Sequence, residues 1–337
     1  MKAVVVHGPG DVRIDERPEP VPAAGEVLLA VEWGGICGSD LSYWKYGASG
    51  TALLKHPLVL GHEVAGRIVT GPDAGRAATV HPATIESPDA LPERISGRTN
   101  LHTRIRYFGS AAFDPHTDGA FSEYKVVRTD QIRLLPDGVS TKHGALAEPL
   151  AVALHAVNRA GSVRGRDVLV NGAGPIGALV VAAAKYQGAR AVIAADVSPA
   201  RLKIAQAMGA DEVRDIAAGE ALPDDVEVVF EASGVTAALG AVLRATARGG
   251  TLVQVGNLPG VPSPAVLGDL VTREITWTGS YRFVEEIADA LTAMRDGLDV
   301  DPLITHIFGI GQVAEALATA ADPASASSKV MLRLGAP

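Results

Sequence analysis

Residues able to bind a metal occur in two short motifs of the first third of the chain. Cys37 lies in segment 35–40 (GICGSD), and His62 and Glu63 follow 25 residues later. A catalytic zinc site needs about three protein ligands and one open position, and thiolate, imidazole and carboxylate all suit zinc. A lone cysteine is more often a small core residue, and His62 with Glu63 would also serve as a surface pair. These residues alone therefore leave a metal site and ordinary structural roles as open alternatives.

A second motif could bind the phosphates of a dinucleotide. Segment 172–177 (GAGPIG) follows a predicted strand and precedes a predicted helix, which is the context that makes this pattern informative. Its glycines permit a tight turn, an approach of the backbone to the pyrophosphate and close helix–strand packing, and the helix N-terminus offers free N–H groups. The alternative is that these glycines only form turns in an ordinary α/β domain.

The acid that follows this motif bears on the choice of cofactor. Asp196 comes 19 residues after Gly177, where a carboxylate accepts hydrogen bonds from the ribose and repels a 2′-phosphate. Arg201 weakens this preference because it could neutralise a phosphate. The sequence therefore predicts NAD, with NADP less favoured. The predicted cofactor-binding residues are Gly172, Gly174, Pro175, Ile176, Gly177, Asp196 and Arg201.

The elements that must position these residues change in character along the chain. The first 80 residues predict short strands without helical periodicity, and residues 82–120 predict a long irregular excursion. From about residue 145, short apolar strands alternate with helical runs, which predicts βαβ units and a parallel sheet. The predicted strands of this part are 167–171, 190–196, 226–230, 251–255 and 274–278. A predicted helix at 284–295 lies beyond this repeat.

Length and composition limit the class of protein. The 337 residues favour two domains, and a hydrophobic content of 47% with a net charge of −8 is typical of a globular protein. This charge provides no footprint for nucleic acid or an anionic membrane, and no apolar run is long enough to span a bilayer. The single cysteine excludes an intramolecular disulfide and a cage of several thiolates. A soluble, cytoplasmic protein without nucleic-acid or membrane partners is expected.

The order of four motifs identifies a family. The segments 35–40, 61–63 (GHE), 147–151 (AEPLA) and 172–177 resemble the zinc-dependent medium-chain dehydrogenase/reductase superfamily. This resemblance implies an α/β fold, with a GroES-like, β-rich catalytic domain at 1–148 and 284–337 and a doubly wound Rossmann domain with a parallel sheet at 149–283. It further implies one catalytic zinc ion per chain. The implied zinc ligands are Cys37, His62 and Glu63, with Glu148 as a fourth, exchangeable ligand or a nearby carboxylate.

Two further segments resemble a narrower group. Segment 43–47 (YWKYG) is similar to polyol dehydrogenases, and segments 106–111 and 115–121 resemble L-idonate 5-dehydrogenases. The implied reaction is NAD-linked oxidation of a secondary alcohol of a sugar acid, L-idonate being converted to 5-dehydro-D-gluconate. The alternatives are a sorbitol-, xylitol- or threonine-type dehydrogenase of the same superfamily and a catalytically silent dinucleotide-binding sensor.

The resemblance also suggests catalytic and substrate-binding residues. Ser39 is a candidate for the first hydroxyl of a proton exit path, with a turn residue as the alternative, and Asp40 would orient a zinc ligand or touch substrate. Candidates for substrate binding are Tyr43, Phe108, His116 and Arg282. Tyr43 and Phe108 could equally be core aromatics, whereas Arg282 has the bidentate geometry that a carboxylate prefers, with His116 and Lys45 as competing cations.

The chain departs from its relatives in one lobe. Relatives usually hold a structural zinc on four cysteines in the lobe that here spans residues 85–101, whereas this chain has Glu86, Pro88, Pro92 and Glu93 there and no cysteine. We therefore predict that the structural zinc is absent and that packing or ion pairs hold the lobe. The resemblance implies a homodimer or homotetramer, whose assembly the altered lobe could change.

Overall fold

A computed structural model describes residues 1–86 and 89–335, which form two compact units. The first unit contains Met1–Glu148 and the chain from Ile304 onwards, and the second contains Pro149–Leu303. The sequence places the second break at residue 284, whereas segment 284–303 belongs to the second unit. No helix among the described residues is long and apolar enough to span a membrane.

Buried hydrogen bonds of Glu286 connect segment 284–303 to the second unit. The Glu286 carboxylate pairs with His155 Nδ1 at 2.8 Å and accepts from Asn158 Nδ2 at 3.4 Å. Both partners belong to the helix Ala147–Arg159. The next helix, Ile287–Arg295, buries Ile287 and further apolar side chains. The local helical pattern at 284–295 is correct, but this long-range pair connects it to the second unit.

This pair predicts a pH dependence of stability. Burial raises the pKa of Glu286, but the hydrogen bonds from His155 and the Val284 amide outweigh it and lower the pKa to about 2. A depressed carboxyl pKa contributes stability that is present above the pKa of the unfolded chain, near 4.5, and is lost as pH falls through the folded value. Through this group, the wild-type protein should lose about 3 kcal/mol of unfolding free energy between pH 5 and 2. We expect this part of the loss to be absent from Glu286→Gln. Denaturant unfolding at several pH values checks this, with the exposed neighbour Glu285→Gln as control. An unchanged acid slope in Glu286→Gln would contradict it.

The first unit is built on a seven-stranded sheet. Its hydrogen-bonded order is Ile132–Leu134, Ala77–Val80, Glu63–Ile68, Glu26–Gly35, Lys329–Arg333 and Ile304–Gly309, with Tyr124–Arg128 also paired to Glu26–Gly35. The pairs are antiparallel except for the last two strands of this order, which run parallel. Apolar residues of these strands, among them Leu29, Val31 and Val64, form the core of the unit together with Phe121. The remaining strands are Lys2–Gly8, Asp11–Glu16, Ala48–Ser49, Ala52–Leu53, Leu58–Val59, Ala83–Ile85 and Ile105–Tyr107.

Helices of the first unit are few, and one of them was not expected from the sequence. They are Gly38–Tyr46, Thr141–Gly144 and Val313–Ala321. The expectation of a first segment without helix is wrong at Gly38–Tyr46. This helix has no apolar stripe and is instead stabilised at its ends, because the Asp40 side chain accepts from the Cys37 amide and Gly47 ends the helix at φ +64°.

The second unit is a parallel six-stranded sheet with helices. Its strand order is Glu212–Asp215, Ala191–Asp196, Asp167–Asn171, Val226–Glu231, Thr246–Gln254 and Thr276–Gly279. In chain order this is 3-2-1-4-5-6, the doubly wound arrangement in which dinucleotides bind where the order reverses. The helices are Ala147–Arg159, Pro175–Tyr186, Pro199–Ala207, Leu239–Ala245, Gly268–Thr272 and Ile287–Arg295. The predicted α/β fold is confirmed, and Glu212–Asp215 is a strand that the sequence pattern did not indicate.

Candidate functional site

Strand pairing brings the two metal-binding motifs together. Gly35, at the end of strand Glu26–Gly35, lies opposite Glu63, at the start of strand Glu63–Ile68. A Cβ on Gly35 would lie 2.3 Å from Glu63 Oε2, so a side chain at position 35 would displace the Glu63 carboxylate. Cys37 and His62 flank this pair in the chain, and both motifs therefore meet at the same end of the sheet.

The Asp40 side chain holds both motifs at fixed spacing. It is completely buried, and it accepts from the Cys37 amide at 2.9 Å and from the Gly61 amide at 3.1 Å. Burial raises the pKa of Asp40, against the opposing effects of a charged His62 and of these amides. Asp40 thus connects the backbones that carry the metal-binding side chains, which is the orienting role that the sequence analysis considered.

Cys37, His62 and Glu63 form a possible metal centre. Sγ, an imidazole nitrogen and a carboxylate oxygen from these residues all lie within 4.8 Å of one another. Within the described residues this is the one group of three or more such side chains. His62 and Glu63 are buried, and Cys37 is partly exposed. Because sulfur, nitrogen and oxygen donors converge here with one partly open side, the residues fit a four-coordinate zinc ion that retains an open position.

The charges around His62 favour a cation at this point. Burial lowers the pKa of His62, but Cys37, Asp40 and Glu148 raise it, and the net value is about 10. The imidazole is therefore protonated in the metal-free protein, where it provides positive charge among several acidic groups. A divalent metal would supply that charge instead and would bind the neutral imidazole.

Sequence reasoning missed Lys329, which contacts Glu63. Its Nζ donates to Glu63 Oε1 at 2.8 Å, to Oε2 at 2.7 Å and to the Ile36 carbonyl at 3.2 Å. Burial lowers the pKa of Lys329, but Glu63 and Cys37 raise it, and the net shift is upward. The sequence offered one signal for this residue, because Lys329 is a charged residue at the start of an apolar strand. Its partner is 266 residues away in the chain, so no local pattern links them.

Glu148 lies near the centre but outside the set of three. Tyr107 Oη donates to Glu148 Oε1 at 2.5 Å, and the Tyr107 ring contacts the His62 ring edge-on at a centroid distance of 5.5 Å. Burial raises the pKa of Glu148, with further influence from the charges of His62 and Glu63. Tyr107, also missed by the sequence analysis, orients this carboxylate as a neighbour of the centre. Direct binding of a metal by Glu148 stays a prediction.

The other predicted residues of this unit have varied surroundings. The Ser39 hydroxyl is partly exposed and has no hydrogen-bond partner in the described part of the chain. Tyr43 and Phe108 belong to the core of the unit, and Tyr43 Oη accepts from the Ala111 amide at 3.0 Å. Lys45 Nζ donates to the Ala321 carbonyl at 3.2 Å. A role for the two aromatic residues in a substrate pocket therefore remains a prediction.

His116 contacts backbone groups of two nearby loop segments, and its role as a substrate-binding cation stays a prediction. Its Nε2 accepts from the amides of Lys55 at 2.9 Å and His56 at 3.2 Å. Since Nε2 accepts, the proton must lie on Nδ1, which is 3.0 Å from the Phe113 carbonyl. Both ring nitrogens therefore already have backbone partners.

Hydrogen bonds of the described residues hold the lobe at 85–101. Its flanking strands Ala83–Ile85 and Ile105–Tyr107 pair antiparallel, and Arg104 Nε donates to the Glu86 carbonyl at 3.0 Å. Arg106 forms an ion pair with the Glu86 carboxylate at 2.6 Å. Pro88 of the same lobe lies outside the described residues. The absence of a structural zinc stays a prediction.

In the second unit the glycine turn leaves space for a ligand. Gly172 has φ +96°, and a Cβ on Gly177 would lie 1.8 Å from the Gly172 carbonyl oxygen. A Cβ on Gly174, the N-cap residue of helix Pro175–Tyr186, would meet no protein atom within 4 Å. Close packing therefore explains two of the glycines, whereas the third borders open space in front of a helix N-terminus. This arrangement fits a pyrophosphate group.

This difference predicts opposite behaviour of two alanine variants. We expect Gly177→Ala to lower stability, because its Cβ overlaps the Gly172 carbonyl. Gly174→Ala should keep the melting temperature of the cofactor-free protein within about 2 °C, because its Cβ enters empty space, yet it should weaken dinucleotide binding at least tenfold. Thermal unfolding and NADH fluorescence titration measure both. Unchanged NADH affinity in Gly174→Ala would contradict this interpretation.

Asp196 fixes the position of its own turn. Its carboxylate accepts from the Ala173 amide at 2.7 Å and from the Ser198 amide at 2.9 Å, and it is buried. Each oxygen keeps a second lone pair for a ribose hydroxyl. Arg201, on helix Pro199–Ala207, is partly exposed and has no ion pair among the residues that the structure describes.

Arg282 also belongs to the second unit. It adopts a left-handed backbone conformation with φ +52°, and its guanidinium carbon lies 4.9 Å from the centre of the Tyr281 ring. Such a conformation is unusual for a residue with a side chain and marks a position that its surroundings constrain.

Comparison with known proteins agrees with both units. Residues 23–137 match the model described as alcohol dehydrogenase GroES-like domain, and residues 175–296 match zinc-binding dehydrogenase. The chain is 36% identical to L-idonate 5-dehydrogenase (NAD(P)(+)) of Escherichia coli (strain K12), over 98% of each protein. It is also 36% identical to sorbitol dehydrogenase of Gallus gallus, over 94% of this chain and 92% of that protein.

Solved structures include a close overall match. The crystal structure of L-idonate 5-dehydrogenase from Escherichia coli str. K-12 substr. MG1655 aligns with a TM-score of 0.90 at 34% identity. The alignment covers 99% of this chain and 98% of that one.

Proposed function

Because the chain belongs to the zinc-binding dehydrogenase family, within which its relatives oxidise polyols and sugar acids, we propose that its substrate is a sugar acid. The proposed reaction is NAD-linked, zinc-dependent oxidation of L-idonate to 5-dehydro-D-gluconate. Oxidation of a CH–OH donor with a nicotinamide cofactor is common to these relatives. The observation that carries the zinc-dependent chemistry is the convergent donor set of Cys37, His62 and Glu63.

The residues of the first unit have distinct roles in this mechanism. Cys37, His62 and Glu63 hold the zinc ion, and Asp40 keeps their backbones at the required spacing. When bound, zinc lowers the pKa of an alcohol oxygen and the nicotinamide accepts a hydride. The partly exposed Ser39 hydroxyl would relay the alcohol proton by accepting it and releasing its own proton to solvent.

The second unit binds the dinucleotide. The helix N-terminus after Gly174 would bind the pyrophosphate, and the Asp196 carboxylate would accept hydrogen bonds from the adenosine ribose hydroxyls. Because the Asp196 carboxylate would repel a 2′-phosphate, we propose NAD as the preferred cofactor. Rates with NAD and NADP at equal concentration test this. Faster turnover with NADP would indicate that Arg201, and not Asp196, determines the choice of cofactor.

The substrate test compares a sugar acid with neutral polyols. Initial rates of NAD reduction are measured with L-idonate, sorbitol and xylitol at equal concentration. A clear preference for L-idonate supports the proposal. A preference for sorbitol or xylitol supports the second candidate, a polyol dehydrogenase, which the equal identity to the Gallus gallus enzyme favours. The homodimer or homotetramer expected from the sequence stays a prediction.

We further propose that Arg282 binds the substrate carboxylate. We expect Arg282→Ala to lower kcat/KM for L-idonate about tenfold to 100-fold, since a charge-assisted hydrogen bond contributes about 1.5–3 kcal/mol. The loss with sorbitol, which has no carboxylate, should be much smaller. Steady-state kinetics with both substrates measures this, and the exposed Arg295→Ala of the same unit is the control. Equal decreases of kcat/KM for L-idonate and sorbitol would contradict the proposal that Arg282 binds the carboxylate.

A further inference from the structure

Three polar side chains lie in register at the point where the strand order of the second unit reverses. Asn171 is the Cα partner of Glu231, and Glu231 is the partner of Gln254. Each of the three is the last residue of its strand. Their side chains therefore form a row across the carboxyl ends of three neighbouring parallel strands. Glu231 is the middle member and is completely buried.

The Glu231 carboxylate is satisfied by neutral donors. Its Oε1 accepts from Asn171 Nδ2 at 3.2 Å, from the Ser233 amide at 2.9 Å and from Ser233 Oγ. Its Oε2 accepts from the Gly234 amide at 3.1 Å and from Gln254 Nε2 at 2.6 Å. Within the described residues this carboxylate has no ion pair. Five hydrogen bonds from uncharged groups therefore replace the hydration of this carboxylate. Only a side chain whose two terminal atoms both accept hydrogen bonds can satisfy all five donors.

The turn that these bonds fix packs directly against the dinucleotide motif. The Ala232 amide donates to the Asn171 carbonyl at 2.8 Å. A Cβ on Gly172 would lie 2.5 Å from the Ser233 amide nitrogen, and a Cβ on Gly256 would lie 2.3 Å from the Gly234 nitrogen. Backbone therefore touches backbone at these contacts, and a shift of the turn at 232–234 displaces Gly172.

We infer that Glu231 is a positioning residue of the dinucleotide site, which sets the glycine turn at 172–177 by anchoring the turn at 232–234. This inference rests on the proposed function, because it presupposes that segment 172–177 binds the cofactor. Glu231 acts through the backbone of Ser233 and Gly234 and not by contact with the cofactor. Its effect is therefore on cofactor affinity and not on the metal centre of the other unit.

The test replaces one carboxylate oxygen of Glu231, which accepts hydrogen bonds, by an NH2 group of similar size, which donates them. Glu231→Gln keeps the shape but places an NH2 group against donors that need an acceptor. We expect the NADH dissociation constant and the KM for NAD to rise about tenfold or more. Zinc content and the KM for the alcohol should stay at wild-type values. Ser233→Ala removes one of the five donors and should raise the NADH dissociation constant about threefold.

Glu227→Gln is the matched control, because Glu227 is an exposed carboxyl on the same strand. All titrations are made on full-length, zinc-loaded protein at a temperature where each variant is folded. Should Glu231→Gln fail to fold, Ser233→Ala decides the matter. Wild-type NADH affinity in the folded variants, whatever their melting temperatures, overturns the inference and assigns Glu231 a purely structural role. If the wild-type protein itself fails to bind NADH, the proposed function fails instead.

Discussion

Replacing His62 by alanine is expected to lower kcat/KM for alcohol oxidation about 1,000-fold and to reduce bound zinc below one ion per chain. The variant removes one of three convergent donors, and a Lewis acid contributes several kcal/mol of charge stabilisation, with each 1.36 kcal/mol equal to a factor of ten. Metal analysis and initial rates with NAD measure both quantities on the same preparation. Removal of metal from the wild-type protein with a chelator should lower the rate to the same level.

A control separates the metal from general damage. His306 belongs to the same unit, and its ring stacks on Phe308 at a centroid distance of 6.4 Å. His306→Ala should keep zinc and activity within about twofold of wild type, as is usual for changes outside a functional site. Full zinc content and near-wild-type rates in His62→Ala would exclude the proposed metal centre.

Replacing Lys329 by methionine is expected to destabilise the metal-free protein by about 3–5 kcal/mol, because it removes the cation that donates to both oxygens of the buried Glu63 carboxylate. Added zinc would then replace the positive charge that Glu63 has lost. The increase in melting temperature on adding zinc should therefore be larger in the variant than in wild type. Thermal unfolding with and without zinc measures the difference directly, independently of catalysis.

Two further variants make this result specific. Lys329→Arg keeps the charge and should recover part of the lost stability. Lys55→Met removes a surface ion pair to Asp114, in which the Lys55 side chain is 61% exposed, and should change stability by no more than about 0.5 kcal/mol. An equal zinc-induced shift in Lys329→Met and wild type would show that Lys329 does not balance the charge of Glu63.

Features encoded within a few residues of one another could be predicted from the sequence. The turn at 172–177 and Asp196 belong to one βαβ unit, in which glycine spacing and strand length determine the local geometry. The same holds for Cys37 and Asp40, which lie within one helical turn. The motif order also identified the family, because four short motifs with long, defined separations rarely coincide.

Long-range packing determined what these patterns could not. Lys329 reaches Glu63, and Glu286 reaches His155, only because distant segments pack together, and no periodicity records such pairs. His116 accepts hydrogen bonds from two amides about 60 residues away in the chain. The side-chain donors Asn171 and Gln254 reach Glu231 from the two neighbouring strands, whose adjacency depends on the sheet order. Local backbone preferences act over a few residues, and the sequence therefore determines the motifs. Buried charges need partners that can come from any part of the fold, so tertiary packing determines the electrostatic environment of the motifs.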